Sequence, residues 1–483
     1  MPTYFKTWAA LVALLLFYGV SPVHAVTVAV DTNTRYQTID GFGTCTYLYD
    51  TTTEANYTTS AFQNMYAQDL GSSIMRMEIA PDVQETADLD LNNLNTNLLN
   101  FNVNSTNTNG PVMQAINARK LDTFKIYGTP WTPPGWMKDN NSDVNGGHLR
   151  ADRRDHFGKY LAAYCTKWQQ TYGIPIYAVS IQNELEFSQS FNSCLYTPQE
   201  LTATIKAVKA QFQKWGITTK LEAPEDLGGG QYWDDRSMTY VYDFMNDPAA
   251  ASAIDIINIH GYGSATTNSS SSAPDASVDF HNRIQGWNKP LWQTETSGDP
   301  VAWLNADGTP GALQVGVNIH TFLANGGGTA WLYWQVCDPT KTVYALTDDT
   351  NDTTAGKYNA SKHFYRYIRP GAVRVGCTGS NNSNFYSSAY VHDGNKSLTV
   401  VLINTSAGSQ PVTVTVPSYP AISSFAGFQT SSTQSFASLG SLPVSGGQIT
   451  LTMPADSMVT LYGTGTGSTP TLPGRTHESC GYW

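Results

Sequence analysis

Between residues 41 and 370 a short apolar run followed by a helical pattern recurs eight times, and this alternation constrains the chain more than any other feature. The runs occupy residues 41–47, 73–80, 124–131, 176–184, 220–225, 254–262, 291–295 and 329–335. Continuous apolar runs of this length suit strands covered on both faces. Between them, Phe157, Tyr160, Leu161, Tyr164 and Trp168 fall on one helical face, and Gly173 follows as a stop. Thr197-Pro198-Gln199-Glu200 forms a capping box with proline at the first helical position, and Leu201, Ile205, Val208, Phe212 and Trp215 mark the stripe after it. The alternation predicts an α/β chain with a (β/α)8 TIM barrel over residues 41–370. An open doubly wound sheet is the competing topology.

Past residue 371 the helical signals stop. Period-two runs appear at 397–403, 412–416, 448–453 and 458–462, separated by Gly, Ser, Asn and Pro. They predict a C-terminal antiparallel β-sandwich side domain over residues 371–463. A strand within residues 26–40 precedes the barrel and is expected to join that sandwich. Residues 464–483 are rich in Gly, Thr and Pro and read as a flexible tail. Residues 88–109 are rich in Asn and read as a long loop. Residues 1–25 read as a secretory signal peptide: Lys6 precedes an apolar stretch, and Val23 and Ala25 supply the small-x-small cleavage pattern. The competing reading is an uncleaved anchor.

Composition narrows the partners. Charged residues are 13% of the chain, against about 25% in an average soluble domain. Aromatics are 12%, with 12 Trp and 27 Tyr, which suits a neutral polar ligand whose rings stack on aromatic faces. A formal net charge of −11 argues against nucleic acid and supplies no basic patch for an anionic membrane. A secreted, extracellular monomer with a polysaccharide substrate is expected, with no membrane association after signal cleavage. Export makes disulfides plausible, yet the six cysteines allow 15 full pairings and the spacing selects none. That spacing is also wrong for a zinc site. Nine N-x-S/T sequons occur, among them Asn56, Asn104, Asn268 and Asn404.

In a barrel, side chains at the C-terminal ends of the strands face the active site. The fourth run ends Ser180-Ile181-Gln182-Asn183-Glu184 and the seventh ends Trp292-Gln293-Thr294-Glu295. One such glutamate is ordinarily structural or solvated; two at separate strand ends are a costly arrangement that calls for chemistry. Glycoside hydrolysis needs such a pair, one carboxyl to protonate the departing oxygen and one to attack the anomeric carbon or activate water. Glu186 and Glu225 are rival carboxylates, Glu186 read as solvated and Glu225 as a substrate ligand or a partner of Glu184. Arg76, in an apolar strand, needs an anionic partner: either the nucleophile or a structural partner such as Glu78 or Asp69. Trp131 and Trp136 read as a sugar platform or as packing under their loop. His260 and Tyr262 end the sixth run on the active face, where His260 is either functional or a satisfied core residue. Trp334 ends the eighth run and is placed at the floor of the pocket.

Taken in order, these segments resemble glycoside hydrolase family 30 over residues 35–463. The resemblance rests on Gly41-Phe42-Gly43, Trp131-Thr132-Pro133-Pro134, Ser180-Ile181-Gln182-Asn183-Glu184, Ala223-Pro224-Glu225, Trp292-Gln293-Thr294-Glu295 and the segment Phe364-Tyr365-Arg366-Tyr367-Ile368-Arg369-Pro370-Gly371. It implies a barrel fused to a β-sandwich built from both chain ends, and retention through a covalent glycosyl-enzyme. It implies Glu184 as acid/base, Glu295 as nucleophile and Asn183 as a ligand of the sugar 2-hydroxyl. Arg76, Trp131, Tyr262 and Trp334 match pocket positions. No metal or organic cofactor is implied. Two departures stand out. Leu185 replaces the proline that follows the acid/base in many relatives. The stretch Trp334-Gln335-Val336-Cys337-Asp338 lacks the arginine with which bacterial glucuronoxylanases grip a glucuronate. The link and side-domain segments look most like the family's xylanase branch, so the resemblance implies an endo-acting β-1,4-xylanase, and the missing arginine one without glucuronate dependence. Endo-β-1,6-glucanase and β-1,6-galactanase are alternatives, as are an exo-acting, glucosylceramidase-like enzyme and, outside catalysis, a carbohydrate-binding module on an inactive barrel.

Overall fold

The structure is a computed structural model that describes residues 25–46, 51–226, 235–262, 280–379 and 384–466. The expected signal segment up to residue 24 and the tail from residue 467 lie outside the described residues.

The chain opens with strand β1 (Val26–Thr38) and continues with β2 (Gly41–Cys45), β3 (Ile74–Glu78), β4 (Lys125–Thr129), β5 (Ile176–Ser180), β6 (Lys220–Asp226), β7 (Ile256–His260), β8 (Leu291–Glu295) and β9 (Ala330–Asp338). Each of β2 to β9 pairs in parallel with its sequence neighbour, and β9 pairs with β2, which closes an eight-stranded barrel. Closure settles the competition with an open sheet. A short β10 (Ala345–Asp348) adds outside on β9. The barrel interior is filled rather than hollow: Ile74, Tyr127, Ala178, Ile256, Trp292 and Leu332 form one buried layer. The glycine of β2 is forced by that closeness. A Cβ on Gly43 would sit 1.8 Å from the carbonyl oxygen of Ile74 on the paired strand.

The helices follow their sequence signals. Arg154–Tyr172 ends at Gly173, whose φ of 71° is left-handed. Pro198–Trp215 starts at the capping box, with the Thr197 hydroxyl accepting from the Glu200 N–H and the Glu200 carboxylate from the Thr197 N–H. The loop expected over residues 88–109 is corrected at its end, because a helix, Asn104–Arg119, begins inside it. That start carries no capping side chain, and Pro111 lies within the helix, so the usual helix signals are missing there.

The side domain comprises β11 (Val373–Thr378), β12 (Phe385–His392), β13 (Ser397–Asn404), β14 (Gln410–Thr415), β15 (Ser424–Ser431), β16 (Gln434–Pro443), β17 (Gln448–Met453) and β18 (Ser457–Thr464). Strand β1 lies inside the same sheet, antiparallel to β11 and parallel to β14. Every other pairing in that sheet is antiparallel. Alternate residues from both ends of the sheet, such as Val28, Leu402, Val414, Phe425 and Leu461, share one core. Strand β13 is buried on both faces. Leu398, Val400 and Leu402 point into the side-domain core, while Val401 and Ile403 join the barrel's core.

Cys45, Cys165, Cys194, Cys337 and Cys377 are free thiols, so disulfides find no support among the described residues. Two sequon asparagines, Asn56 and Asn404, are buried and hydrogen-bonded within the fold.

Candidate active site

The C-terminal ends of the barrel strands bring Arg76, Asn183, Glu184, Glu225, His260, Tyr262 and Glu295 into one cluster. Arg76 organises it. From β3, at 0% exposure, its guanidinium donates in several directions. Nη1 reaches Glu295 Oε2 at 2.6 Å and Cys45 Sγ at 3.0 Å. Nε reaches Glu225 Oε1 at 3.1 Å and Thr129 Oγ1 at 3.2 Å, and Nη2 reaches Asn183 Oδ1 at 2.6 Å. Its partner is thus Glu295 together with Glu225, not Glu78 or Asp69. Asp69 pairs instead with Lys362, and Glu78 accepts from Asn192. Because Arg76 can only donate, Asn183 must face it with Oδ1, which leaves the Asn183 amide N–H groups as donors.

Glu184 is not on a strand. β5 stops at Ser180, and the next residues leave the ladder: Asn183 N–H donates to Pro130 O and Glu184 N–H to Glu225 O. Glu184 has φ 48° and Glu225 φ 57°, a left-handed conformation in two side-chain-bearing residues at one site. The turn aims the Glu184 carboxyl inward. Oε1 lies 3.3 Å from His260 Nδ1, and Oε2 accepts from Gln189 Nε2 at 2.8 Å. Glu295 closes β8, and its Oε1 accepts from the Tyr262 hydroxyl at 2.6 Å. One carboxylate oxygen of Glu184 and one of Glu295 lie within 4.8 Å of each other.

Charge is distributed unevenly over this cluster. Burial raises the Glu225 carboxyl, but Arg76 and His260 outweigh it and hold Glu225 at about 2. Burial favours neutral His260, yet Glu295, Glu184 and Glu225 around it raise it to about 10, so it carries a proton at neutral pH. Burial pushes Glu295 above the ordinary carboxylate range; His260, Arg76 and Tyr262 draw it down only in part, and Glu184 raises it further. Arg76 therefore lowers Glu295 as a partner of the nucleophile should, but burial is the larger effect. Glu184, His260 and Glu295 also converge closely enough to suit a metal ion, which would compete with the proton on His260 for its lone pair.

The aromatic residues divide between site and scaffold. Trp131 is buried under the Arg76 guanidinium, 4.5 Å from ring to cation, and Trp334 stands half-exposed beside it with centroids 6.3 Å apart. Trp136 packs under its loop, its indole N–H donating to Gln84 O at 3.1 Å. Glu186 is exposed. Two neighbours went unnoticed in the sequence: Cys45, raised to about 12 by burial, and Gln189. Gln189 lies in an irregular loop with no periodicity to point at it.

Fold and site together define a two-carboxylate (β/α)8 barrel fused to a β-sandwich. The chain belongs to glycoside hydrolase family 30. The TIM-barrel model of that family matches residues 62–280 and its β-sandwich model matches residues 371–461. A glucuronoxylanase of Bacillus subtilis is 28% identical over 284 residues, 58% of this chain and 60% of that one. An endo-1,6-β-D-glucanase of Neurospora crassa is 26% identical over 344 residues, 66% of each chain. Among solved structures, a family 30 endoxylanase of Clostridium papyrosolvens superposes with a TM-score of 0.70 at 24% identity, covering 91% of this chain and 100% of its own.

Proposed function

We propose that this chain is a secreted retaining glycoside hydrolase acting on a β-linked polysaccharide, with Glu295 as nucleophile and Glu184 as acid/base. The observation that carries this reading is the approach of their carboxylate oxygens to within 4.8 Å. Retention uses carboxyls about 5–5.5 Å apart, and inversion about 6.5–9.5 Å. Glu295 attacks the anomeric carbon while Glu184 gives its proton to the leaving oxygen. The glycosyl ester is then cleaved by water, whose proton Glu184 accepts, and both carboxyls return to their starting states. Arg76 and Tyr262 hold Glu295 in line. The Asn183 N–H groups are oriented to donate to a sugar hydroxyl, and Trp334 offers a ring for stacking. No cofactor enters the reaction, and a monomer carries every residue it needs.

For the substrate, a β-1,4-xylan backbone without glucuronate is favoured. A relative named a glucuronoxylanase supports the xylan backbone. The stretch from Trp334 to Asp338 holds no arginine, and Asp338 accepts hydrogen bonds from Gln335 and Thr342 there, a poor setting for a second carboxylate. β-1,6-Glucan is the second reading, favoured by the longer alignment with the Neurospora glucanase. Product analysis on arabinoxylan, glucuronoxylan, β-1,6-glucan, arabinose-free arabinogalactan and an aryl β-glucoside separates these. A ladder from one neutral polymer that vanishes in Glu295→Gln is expected. Undiminished cleavage by that variant would overturn the mechanism, and binding without any cleavage by the native chain would leave a carbohydrate-binding barrel.

A further inference from the structure

We infer that Gln189 is the positioning residue of the acid/base carboxyl, holding Glu184 in the orientation from which it gives its proton to the leaving group. This rests on the assignment of Glu184 made above.

Gln189 sits five residues beyond Glu184 in the loop after β5, and its side chain turns back into the site. Nε2 donates to Glu184 Oε2 at 2.8 Å, and the residue is 7% exposed. Its backbone is held in place. The N–H donates to Ser193 Oγ at 3.1 Å, and the carbonyl accepts from Asn145 N–H at 2.7 Å and Ser193 Oγ at 3.1 Å. The amide is thus delivered to Glu184 by a fastened loop. Among the described residues its Oε1 is buried without a partner, so the donated N–H is the amide's one polar contact with the site.

Among the described residues, the groups that face the Glu184 carboxyl are His260 and Tyr262 from the β7 end and Glu295 from β8, with Arg76 and Glu225 behind them. His260 takes the Oε1 side. Gln189 alone supplies a neutral donor on the Oε2 side. A neutral N–H bonded to a carboxylate favours its ionised form without adding charge. The bond fixes the plane of the Glu184 carboxyl between Gln189 on the Oε2 side and His260 on the Oε1 side. Glycosides with poor leaving groups need that proton in the transition state; dinitrophenyl glycosides do not.

The test compares phenyl and 2,4-dinitrophenyl β-xylobiosides, or the corresponding β-gentiobiosides if the polymer panel selects β-1,6-glucan. In Gln189→Met, kcat/KM on the phenyl glycoside is expected to fall about tenfold, while the dinitrophenyl glycoside stays within about twofold. The alkaline limb of the phenyl profile is expected to move up by about one pH unit. Gln189→Glu replaces the donor by a second carboxylate and is expected to move that limb upward as well, which keeps the inference testable should the methionine variant fold poorly. Equal losses on both glycosides with an unmoved alkaline limb would reduce Gln189 to a loop anchor and overturn the inference. Glu295→Gln separates the two claims: activity remaining in that variant defeats the mechanism itself, whatever Gln189 does.

Discussion

At the scale of single residues, the site is an arrangement of charge that burial makes demanding. Arg76 is buried with two glutamates, and removing it leaves Glu225 and Glu295 with His260 alone for compensation. Arg76→Met is therefore expected to cost about 3–5 kcal/mol, read by chemical denaturation. Arg76→Lys is expected to restore little of that, because an ammonium cannot span the acceptors that the guanidinium fork reaches. Glu295 must be ionised to attack, and its proton affinity is raised in the fold. Activity is accordingly expected to fall as the pH drops through a value above the usual carboxylate range. Tyr262 lowers that value, so in Tyr262→Phe the acid limb of kcat/KM is expected to move to higher pH. An acid limb left where it was, or moved down, contradicts the role given to Tyr262. Both catalytic candidates were legible in the sequence because each glutamate follows an apolar run. The fork of Arg76 was not, since its acceptors come from residues as far as 219 positions away.

At the scale of elements, the barrel strands are the most legible part of the molecule. Covered on both faces, they read as short, largely apolar runs at their observed places, interrupted where a charged side chain such as Arg76 or Glu225 serves the site. The side domain was half legible. Its strands β13, β14, β17 and β18 show up as apolar or alternating runs, whereas β11, β12, β15 and β16 do not. β16, with sequence QSFASLGSLP, has no buried residue, so no apolar face marks it. β12 carries Ser387 and Ser388 at its centre, and Ser388 is buried, which breaks the alternation. The strand ends were overrun in sequence at β5, where Gln182 to Glu184 continue the run but the backbone has already left the ladder. The tightest element contact yields its own prediction. Gly43→Ala is expected to force β2 and β3 apart at Ile74 and to lower the melting temperature steeply, by an amount typical of overpacking or more, about 1–3 kcal/mol. Thermal unfolding followed by circular dichroism reads this directly, and a melting temperature within about a degree of the parent would show that β3 can yield.

At the scale of the whole molecule, barrel and side domain share buried residues rather than merely touching. The helix Gly356–Tyr365 places His363 between Thr460 Oγ1 and Thr430 Oγ1, both at 2.8 Å. The helix Leu313–Ala324 sets His320 against the ring of Tyr386. Burial, with Lys362 nearby, depresses His363 to about 3; burial, with Arg374 nearby, depresses His320 to about 4. A histidine held neutral in the fold stabilises it above its ordinary value of 6.5, and that stability drains away as the pH falls toward the folded value. Acidification from pH 6.5 toward 4 is thus expected to destabilise the junction. A glutamine side chain cannot take up a proton yet can still donate to one threonine and accept from the other, so His363→Gln is expected to flatten the slope of melting temperature against pH. An unchanged slope would place the acid sensitivity elsewhere.

The sequence by itself determined the local and repetitive features: eight strand–helix units, the capping box, the glycine stops, and the two glutamates after apolar runs. Each is written in neighbouring residues, where periodicity and turn chemistry act. Tertiary structure alone decided between the closed barrel and the open sheet, which neighbours β1 takes within the side-domain sheet, that Glu225 and Cys45 sit against Arg76, and that Gln189 folds back onto Glu184. These depend on which distant groups a buried charge finds when water is excluded, and no local pattern carries that information.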